Sequence, residues 1–285
     1  PGAAYTVDTS ATFNSWTPRF GLRYDVGDRS NIYATFSKGF KSGLYNISSP
    51  STIPVLPEKI DAYEVGFKSA SRLLDFNAAA YLYKYNDIQV TAYDYTSGVS
   101  RLFNAAKAEV YGFELDAAWR PSANFDARAA IAYTHAEFTR FPGAPAFTPS
   151  ATLLNGAPCP DHNCGNVQSL VDASGNQMLR APELTLSAAA NYRFPLDNGG
   201  EVAFGVRPYW SSKINYSFQE RIRQPSYFTL DADISWSLNE QVRLTLWGRN
   251  LTDATYANSR SESSARDAIA WAQPISYGIA GSYKF

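Results

Sequence analysis

The sequence lacks a run of about 18 apolar residues, the length at which a helix would span a membrane. Mean hydropathy is only -0.29, although 19 Tyr, 17 Phe and 6 Trp make up 15% of the chain. The net charge of -1 leaves no basic excess, which a nucleic-acid-binding surface requires. We therefore expect no nucleic-acid partner, and the aromatic residues are spread over mostly polar segments.

Cysteine is also scarce, and both cysteines lie in the segment CPDHNC, as Cys159 and Cys164. An even pair in a loop rich in Pro, Gly and Asn indicates a local disulfide bond in an oxidising compartment. Free thiols are one alternative. A metal site that adds Asp161 or His162 is another, although this spacing matches no standard zinc pattern. We expect the disulfide, and no bound metal or cofactor.

Apolar and polar residues alternate with a period of two along most of the chain, which is typical of β-strands with one apolar face. No helical pattern competes with this alternation. Eleven such stretches lie near residues 17–26, 30–39, 59–69, 73–91, 99–119, 125–138, 183–194, 201–212, 226–238, 242–250 and 275–285. The sequence therefore predicts an all-β protein.

Short and long connections alternate between these strands. The short ones are VGDRS, SASR, RPSAN, PLDNGG and LNEQ, and the long polar ones lie near residues 40–57, 92–98, 139–181, 213–225 and 251–273. Outer-membrane barrels have short periplasmic turns and longer extracellular loops, whereas a β-sandwich has no reason for this alternation. Many strands also approach the 9 to 11 residues or so that cross a membrane. We expect an antiparallel transmembrane β-barrel whose long loops are extracellular.

The segment YFTLDADISWSL shows the two faces of such a strand. One face carries Phe228, Leu230, Ala232, Ile234, Trp236 and Leu238, with aromatic residues near the strand ends as in an interfacial girdle. The other face is polar. If Leu238 faces Val242 across the next turn, Asp231 falls opposite Arg249 on that polar face.

A second hairpin gives the same type of pair. If Trp119 and Phe125 face each other across RPSAN, Asp116 falls opposite Arg128. We predict that both acid–arginine pairs point into a polar lumen. Ion pairs on the wet face of a soluble β-sandwich remain the alternative.

An odd number of strands cannot close a single-chain barrel of this bacterial kind, because both edges would stay open. The first residues, PGAAYTVDTSATFNSW, resemble the interior of a loop and contain no signal peptide. We therefore expect a fragment whose missing strands lie upstream, with residue 1 on the extracellular side and the last strand running towards the periplasm.

Six motifs follow one another in a fixed order: TPRFGLRYDV, YATFSKGFKSGLYN, PEKIDAYEVGFKS, NAAKAEVYGFELDA, LTLWGRNLTDATY and the terminal GSYKF. This ordered set resembles the TonB-dependent outer-membrane receptors over essentially the whole chain. The resemblance implies a barrel of about 22 strands with an N-terminal plug and a TonB box. Residues 1–285 would then be the C-terminal part of the barrel, without the plug.

The resemblance also implies a function and partners. The complete protein would bind a scarce, bulky solute and import it through the bacterial outer membrane, with energy coupled through the TonB complex. A ferric siderophore is the first expectation, and haem, cobalamin or a glycan are competitors. The outward face would contact outer-membrane lipid. The last strand would be a signal for the barrel-assembly machinery, carried by Tyr277, Ile279, Tyr283 and Phe285.

Residues that could line the extracellular mouth are arginines, which suit anionic chelates, and aromatic residues, which suit planar or apolar ligands. They are Tyr45, Trp210, Arg221, Arg223, Arg260, Arg266 and Trp271. Each of them has an alternative interpretation as a solvated loop charge or an interfacial anchor.

Catalytic motifs are absent from the sequence, which contains no G-x-S-x-G, no H-E-x-x-H and no phosphate-binding Gly-rich loop. Of the two histidines, His135 lies near the outer end of a strand, and we expect an ordinary rim residue. A Ser or Asp beside it in space would favour an outer-membrane enzyme. A passive porin or an autotransporter barrel, without plug or TonB box, is the other alternative.

Overall fold

The computed structural model describes residues 8–46, 52–94, 99–152, 157–159 and 164–285, and within these ranges no helix is long and apolar enough to cross a membrane. Seventeen β-strands account for the regular structure of this part of the chain. In chain order they are β1 (Arg19–Asp25), β2 (Ser30–Lys41), β3 (Glu58–Ala70), β4 (Leu74–Asp94), β5 (Val99–Ser122), β6 (Phe125–Arg140), β7 (Pro142–Pro149), β8 (Asn166–Asp172), β9 (Leu184–Pro195), β10 (Glu201–Ser211), β11 (Ile214–Asn215), β12 (Arg223–Gln224), β13 (Tyr227–Ser237), β14 (Val242–Arg249), β15 (Ala257–Glu262), β16 (Asp267–Trp271) and β17 (Ser276–Tyr283).

Eleven of these strands form one antiparallel sheet in the order β1-β2-β3-β4-β5-β6-β9-β10-β13-β14-β17. Each strand pairs with the next of the eleven along the chain, as expected for a meander. These are the eleven predicted strands, with ends shifted by a few residues. The all-β antiparallel prediction is therefore confirmed.

Short turns close one end of the sheet, which we call the turn end. In the first, the amide of Val26 donates to the carbonyl of Ser30 at 2.7 Å, and in the last, the amide of Leu238 donates to that of Val242 at 3.0 Å. The opposite end, which we call the loop end, carries the other connections, of which those after β2, β6, β10 and β14 are long. The connection predicted near residues 92–98 is shorter than expected, because β4 extends to Asp94 and β5 begins at Val99. The predicted alternation is reproduced at the other positions.

One face of the sheet, the apolar face, exposes large apolar side chains along every strand. Examples are Phe20 (62% exposed), Val65 (50%), Ile234 (45%) and Ile279 (79%). A soluble monomer rarely exposes so extended an apolar surface. The face therefore suits contact with a nonaqueous environment.

The opposite face, the polar face, carries arginine–carboxylate pairs. Arg249 lies opposite Asp231 and donates a hydrogen bond to it at 3.0 Å, which confirms the predicted pairing. Arg193 bonds Asp126 at 2.8 Å in the same way. Nearer β1, a recess of about 800 Å³ has Tyr33 in its wall. The polar face therefore has the charged side chains and cavities that are typical of a surface in contact with water.

The predicted pairing of Asp116 with Arg128 is wrong. Strand β5 continues to Ser122, which pairs with Phe125, and a register irregularity separates this pair from the pair of Trp119 and Ala127. Asp116 consequently lies opposite Ala130, and Arg128 lies opposite Ala118. The carboxylate of Asp116 instead accepts a hydrogen bond from Asn77 at 2.8 Å. The bulge moved the register by one residue pair but kept both charges on the polar face.

Candidate functional site

Three small hairpins are inserted in the long connections at the loop end. They are β7–β8, β11–β12 and β15–β16, each a two-stranded antiparallel sheet of its own. The sequence predicted long, mostly polar connections here and no strands within them. Their strands are as short as two residues, so they leave little periodicity to detect.

Buried phenylalanines hold the first two hairpins together. The ring of Phe141 is fully buried, and its centroid lies 5.1 Å from those of both Phe138 and Phe218. Phe138 belongs to β6, and Phe218 lies in the tip between β11 and β12. Ala144 and Ala173, both at 0% exposure, complete this small core. Burial of apolar surface therefore fixes these connections onto the end of β6.

Arg221 joins the second hairpin to the third. Its Nη1 donates to Oδ2 of Asp267 at 2.6 Å, and its Nη2 donates to Oδ1 of Asp267 at 2.8 Å and to Glu262 at 2.9 Å. The hydrogen bond from Arg221 lowers the pKa of Asp267. Burial raises the pKa of Glu262, and Arg221 beside it acts in the opposite direction. A planar guanidinium group is suited to this two-pronged contact.

Asn166 joins the first hairpin to the third. Its side-chain amide donates to the carbonyl of Ser263 at 2.7 Å and to Asp267 at 2.9 Å. Its main-chain amide donates to the carbonyl of Ser264 at 2.7 Å. A further bond runs from the side chain of Gln219 to the carbonyl of Phe147, between the second hairpin and the first. The three hairpins are thus mutually connected.

A cavity of about 280 Å³ lies among the hairpins. Its size is near the lower bound of about 300 Å³ that is usual for small-molecule sites. Its walls are Thr91, Pro145, Phe147, Gln168, Leu179, Arg180, Tyr216, Ser217, Phe218, Arg260, Ser261 and Glu262. All three hairpins contribute to this wall, together with β4 and the connection after β8.

Two arginines give the cavity its charge. The guanidinium group of Arg260 lies 5.5 Å from the ring centroid of Trp271, and that of Arg180 lies 6.0 Å from the ring of Tyr216. Nη2 of Arg260 donates to Gln224 at 3.3 Å, but its Nε is buried without a hydrogen-bond partner among the described residues. The remaining charge in the wall, Glu262, shares Arg221 with Asp267.

Only some of the residues predicted to line the extracellular mouth lie close together in the structure. Arg221, Arg260 and Trp271 meet at the hairpins, while Arg223 turns back onto Glu220 at 3.0 Å. Arg266 is exposed in the turn between β15 and β16.

Two other predicted residues lie outside this cluster. Tyr45 is half-buried beside the bridge between Leu44 and Val55. Trp210 lies opposite Phe228 on the apolar face, so the expectation that it lines the mouth is wrong. Alternation along β10 explains this, because Phe204 and Val206 have the same parity and are exposed on that face.

Sequence reasoning missed Arg180, Glu262, Asp267 and Asn166. Arg180 has a φ of 60° in an irregular connection, where no periodic pattern marks a residue. The other three acquire their roles through partners far away in the sequence. A charged residue in a long polar loop gave no signal that distinguished it from its neighbours.

His135 lies on the apolar face rather than in a polar pocket. Its Nε2 is 3.2 Å from Oε2 of Glu137, and its ring stacks on Tyr111 with centroids 4.7 Å apart. Within the described part of the chain, neither a serine nor an aspartate hydrogen-bonds to it. The constellation that would favour an enzyme is therefore not formed by these residues.

Cys159 and Cys164 form a disulfide bond, with Cα atoms 6.0 Å apart. Asp161 and His162, which a metal site would have used, lie outside the described residues. At the chain end, Tyr277 (75% exposed) and Ile279 of β17 point to the apolar face, and the ring of Phe285 contacts Tyr283 at 5.2 Å.

A family model described as "TonB dependent receptor-like, beta-barrel" matches residues 2–251. Among curated relatives, the pesticin receptors of Yersinia enterocolitica and Yersinia pestis are each 24% identical over 242 residues, which is 82% of this chain. The chain spans 30% of the length of these relatives.

Solved structures share the fold. The ferric yersiniabactin uptake receptor FyuA from Yersinia pestis aligns with a TM-score of 0.73 at 20% identity, covering 94% of this chain and 37% of that one. The siderophore receptor PiuA from Acinetobacter baumannii aligns with a TM-score of 0.69 at 19% identity, covering 94% of this chain and 35% of that one. At these identities the likeness concerns the fold alone.

Proposed function

Because this chain belongs to the TonB-dependent receptor-like β-barrel family, we propose that the whole protein imports a ferric siderophore with energy coupled through TonB. The members of this family are receptors and transporters of the bacterial outer membrane. The main sheet is accordingly part of a transmembrane barrel, whose apolar face contacts lipid and whose polar face lines the lumen.

The loop end is the extracellular side in this proposal. Barrels of this type have short turns towards the periplasm and long loops towards the outside, and the five tight turns of the sheet are all at the turn end. The cavity among the hairpins would therefore open towards arriving solute. The whole binding site would also include residues from the rest of the receptor, since this chain spans 30% of its curated relatives.

The observation that carries the proposal is the charge of the cavity. Arg180 and Arg260 face it, while Glu262 shares the single positive charge of Arg221 with Asp267. A ferric chelate with free carboxylate or phenolate groups supplies negative charge that these two guanidinium groups can bind. Phe147, Phe218 and Tyr216 add aromatic surface for a planar ligand. Siderophores combine these features, and the structures with a similar fold include the siderophore receptor PiuA.

The test compares two variants of the full-length receptor in a strain that has no other route for the same siderophore. We expect Arg260→Ala to weaken binding of an anionic ferric siderophore about tenfold or more, because a charge-assisted bond is lost. Arg266→Ala removes the same charge from an exposed position of the same hairpin and should leave binding unchanged. Binding of the ⁵⁵Fe-labelled chelate to cells and growth under iron limitation give the two readouts.

Three outcomes would contradict the proposal. If neither a phenolate, a catecholate, a hydroxamate nor a citrate complex of iron binds the wild-type receptor, the solute is not a ferric siderophore. If uptake proceeds unchanged in a strain without TonB, the receptor is a passive barrel. Equal losses in the two arginine variants would show that the cavity is not the site of recognition.

A further inference from the structure

A row of ionisable residues crosses five neighbouring strands on the apolar face, near the loop end. Lys38 of β2 lies opposite Asp61 of β3, and Asp61 lies opposite Lys84 of β4. The row continues through Glu109 of β5 to Glu137 of β6. Ion pairs join Lys38 to Asp61 at 3.0 Å and Lys84 to Glu109 at 3.8 Å.

A neighbouring row of aromatic residues indicates how deep in the membrane this charged row lies. One residue pair nearer to the turn end, the ring of Phe36 contacts Tyr63 at 4.9 Å, and Tyr111 stacks on His135 at 4.7 Å. Aromatic residues of this kind mark the boundary between hydrocarbon and headgroups. The charged row beyond them therefore lies at the depth of the lipid headgroups on the loop side.

A cleft of about 580 Å³ opens at one end of this row. Its charged lining comprises Lys38, Lys59 and Lys107, together with Asp61 and Asp87. Alternation along the strands places the three lysines on the lipid-facing side, since Lys59 lies two residues from Asp61 on β3 and Lys107 lies two residues from Glu109 on β5. Asp61 is bound to Lys38, whereas Lys59 and Lys107 are both exposed and form no ion pair within the described ranges.

Trp16 also lines the cleft and is 80% exposed. An indole beside lysines at a membrane boundary suits a lipid that has both an acyl chain and an anionic headgroup. Ammonium groups act as point charges that bind phosphate, and basic residues near a membrane surface favour anionic lipid. Below the cleft, Tyr63 and Val65 present apolar surface along which an acyl chain can lie.

We propose that this cleft binds the phosphorylated headgroup of a lipid in the outer leaflet. Lys59 and Lys107 contact phosphate oxygens, and Lys38 is held in place by Asp61. The site lies on the opposite side of the sheet from the lumen and is independent of the solute that the receptor imports.

The test uses native mass spectrometry of the full-length receptor in detergent, with diphosphoryl lipid A, monophosphoryl lipid A and phosphatidylcholine as probes. We expect the wild type to retain diphosphoryl lipid A more strongly than the other two. Combined Lys59→Ala and Lys107→Ala substitution should weaken this retention about 30-fold. The matched control combines Arg72→Ala with Lys213→Ala, which removes the same charge from exposed positions outside the cleft.

Several results would overturn the inference. Equal retention of all three lipids, or an equal loss in the control variant, would mean that the cleft has no specific role. Competition by inorganic phosphate in the absence of any lipid preference would indicate a free-anion site. Unchanged binding of labelled iron chelate by the lysine variant, with an unchanged unfolding temperature, shows that it is folded and separates this test from that of the proposed uptake.

Discussion

Arg221 and Asp267 form a two-pronged ion pair between two hairpins, with Nη1–Oδ2 at 2.6 Å and Nη2–Oδ1 at 2.8 Å. The residues are 46 positions apart in the sequence. The guanidinium group also reaches Glu262, so one side chain holds both strands of β15–β16. This geometry requires the fork of an arginine, which lysine cannot reproduce.

Replacement of Arg221 by lysine should therefore loosen the second and third hairpins. We expect a local destabilisation of about 1–2 kcal/mol, since charge-assisted bonds are lost at a partly exposed site. Hydrogen–deuterium exchange of peptides from residues 213–225 and 257–271 in the full-length receptor measures this. Arg266→Lys in the neighbouring turn is the matched control, and equal exchange in both variants would contradict the assigned role.

The ion pair should also depend on pH in a definite direction. Arg221 lowers the pKa of Asp267, so this carboxylate stabilises the folded loops above its unfolded pKa of about 3.9, and the contribution is lost as the pH falls through the lower folded value. The pKa of Glu262 is raised, so its protonation at mildly acid pH favours the folded form. We expect the hairpins to stay protected from protease at pH 5 and to open only below about pH 4. Asp267→Asn should remove the acid-dependent step, and its persistence would count against this account.

Gly112 is a closely packed position on the polar face. A Cβ atom there would lie 2.0 Å from the carbonyl oxygen of Tyr133 and 2.8 Å from the hydroxyl of Tyr81, which itself is 2.7 Å from Oγ1 of Thr134. We expect Gly112→Ala to destabilise the barrel by about 1–3 kcal/mol, because backbone atoms must move. Heat-modifiability of the full-length receptor on SDS gels measures the loss. Gly21→Ala, whose Cβ would meet only Thr35 at 3.8 Å, should have little effect.

The disulfide bond closes a loop with a sequence separation of five residues. Chain entropy predicts a stabilisation of about 2 kcal/mol for so short a loop. Paired Cys159→Ser and Cys164→Ser substitution should therefore increase proteolysis near residues 150–165 and leave the unfolding of the barrel unchanged. Thiol labelling of the unreduced, denatured wild type tests the bond itself, since any labelled cysteine would refute it.

The eleven strands of the sheet could be predicted because their signals are local. Period-two alternation and turn residues act within one hairpin, as in the one where Asp231 meets Arg249, 18 positions away. The bulge between Trp119 and Ser122 shows the limit of this reasoning. The register there differs by two residues from the predicted one, which leaves both faces unchanged and still alters which residues lie opposite each other.

The candidate site could be predicted only in part, since it depends on contacts between distant segments. Arg221 was selected by residue type, but its partners Glu262 and Asp267 lie 41 and 46 positions away. Asn166 and Asp267 are 101 positions apart. No periodicity encodes such contacts. The position of Trp210, in contrast, could have been predicted from local sequence. Counting every second residue from Phe204 places it on the apolar face.

The buried ring of Phe141 and the bonds around Arg221 have a consequence for engineering. They make the three hairpins interdependent, so one hairpin cannot be exchanged with a homologous receptor while the others stay in place. A transplant of β11–β12 alone would leave Glu262 and Asp267 without Arg221. Redirecting such a receptor to a new ligand would require moving all three segments as a single module.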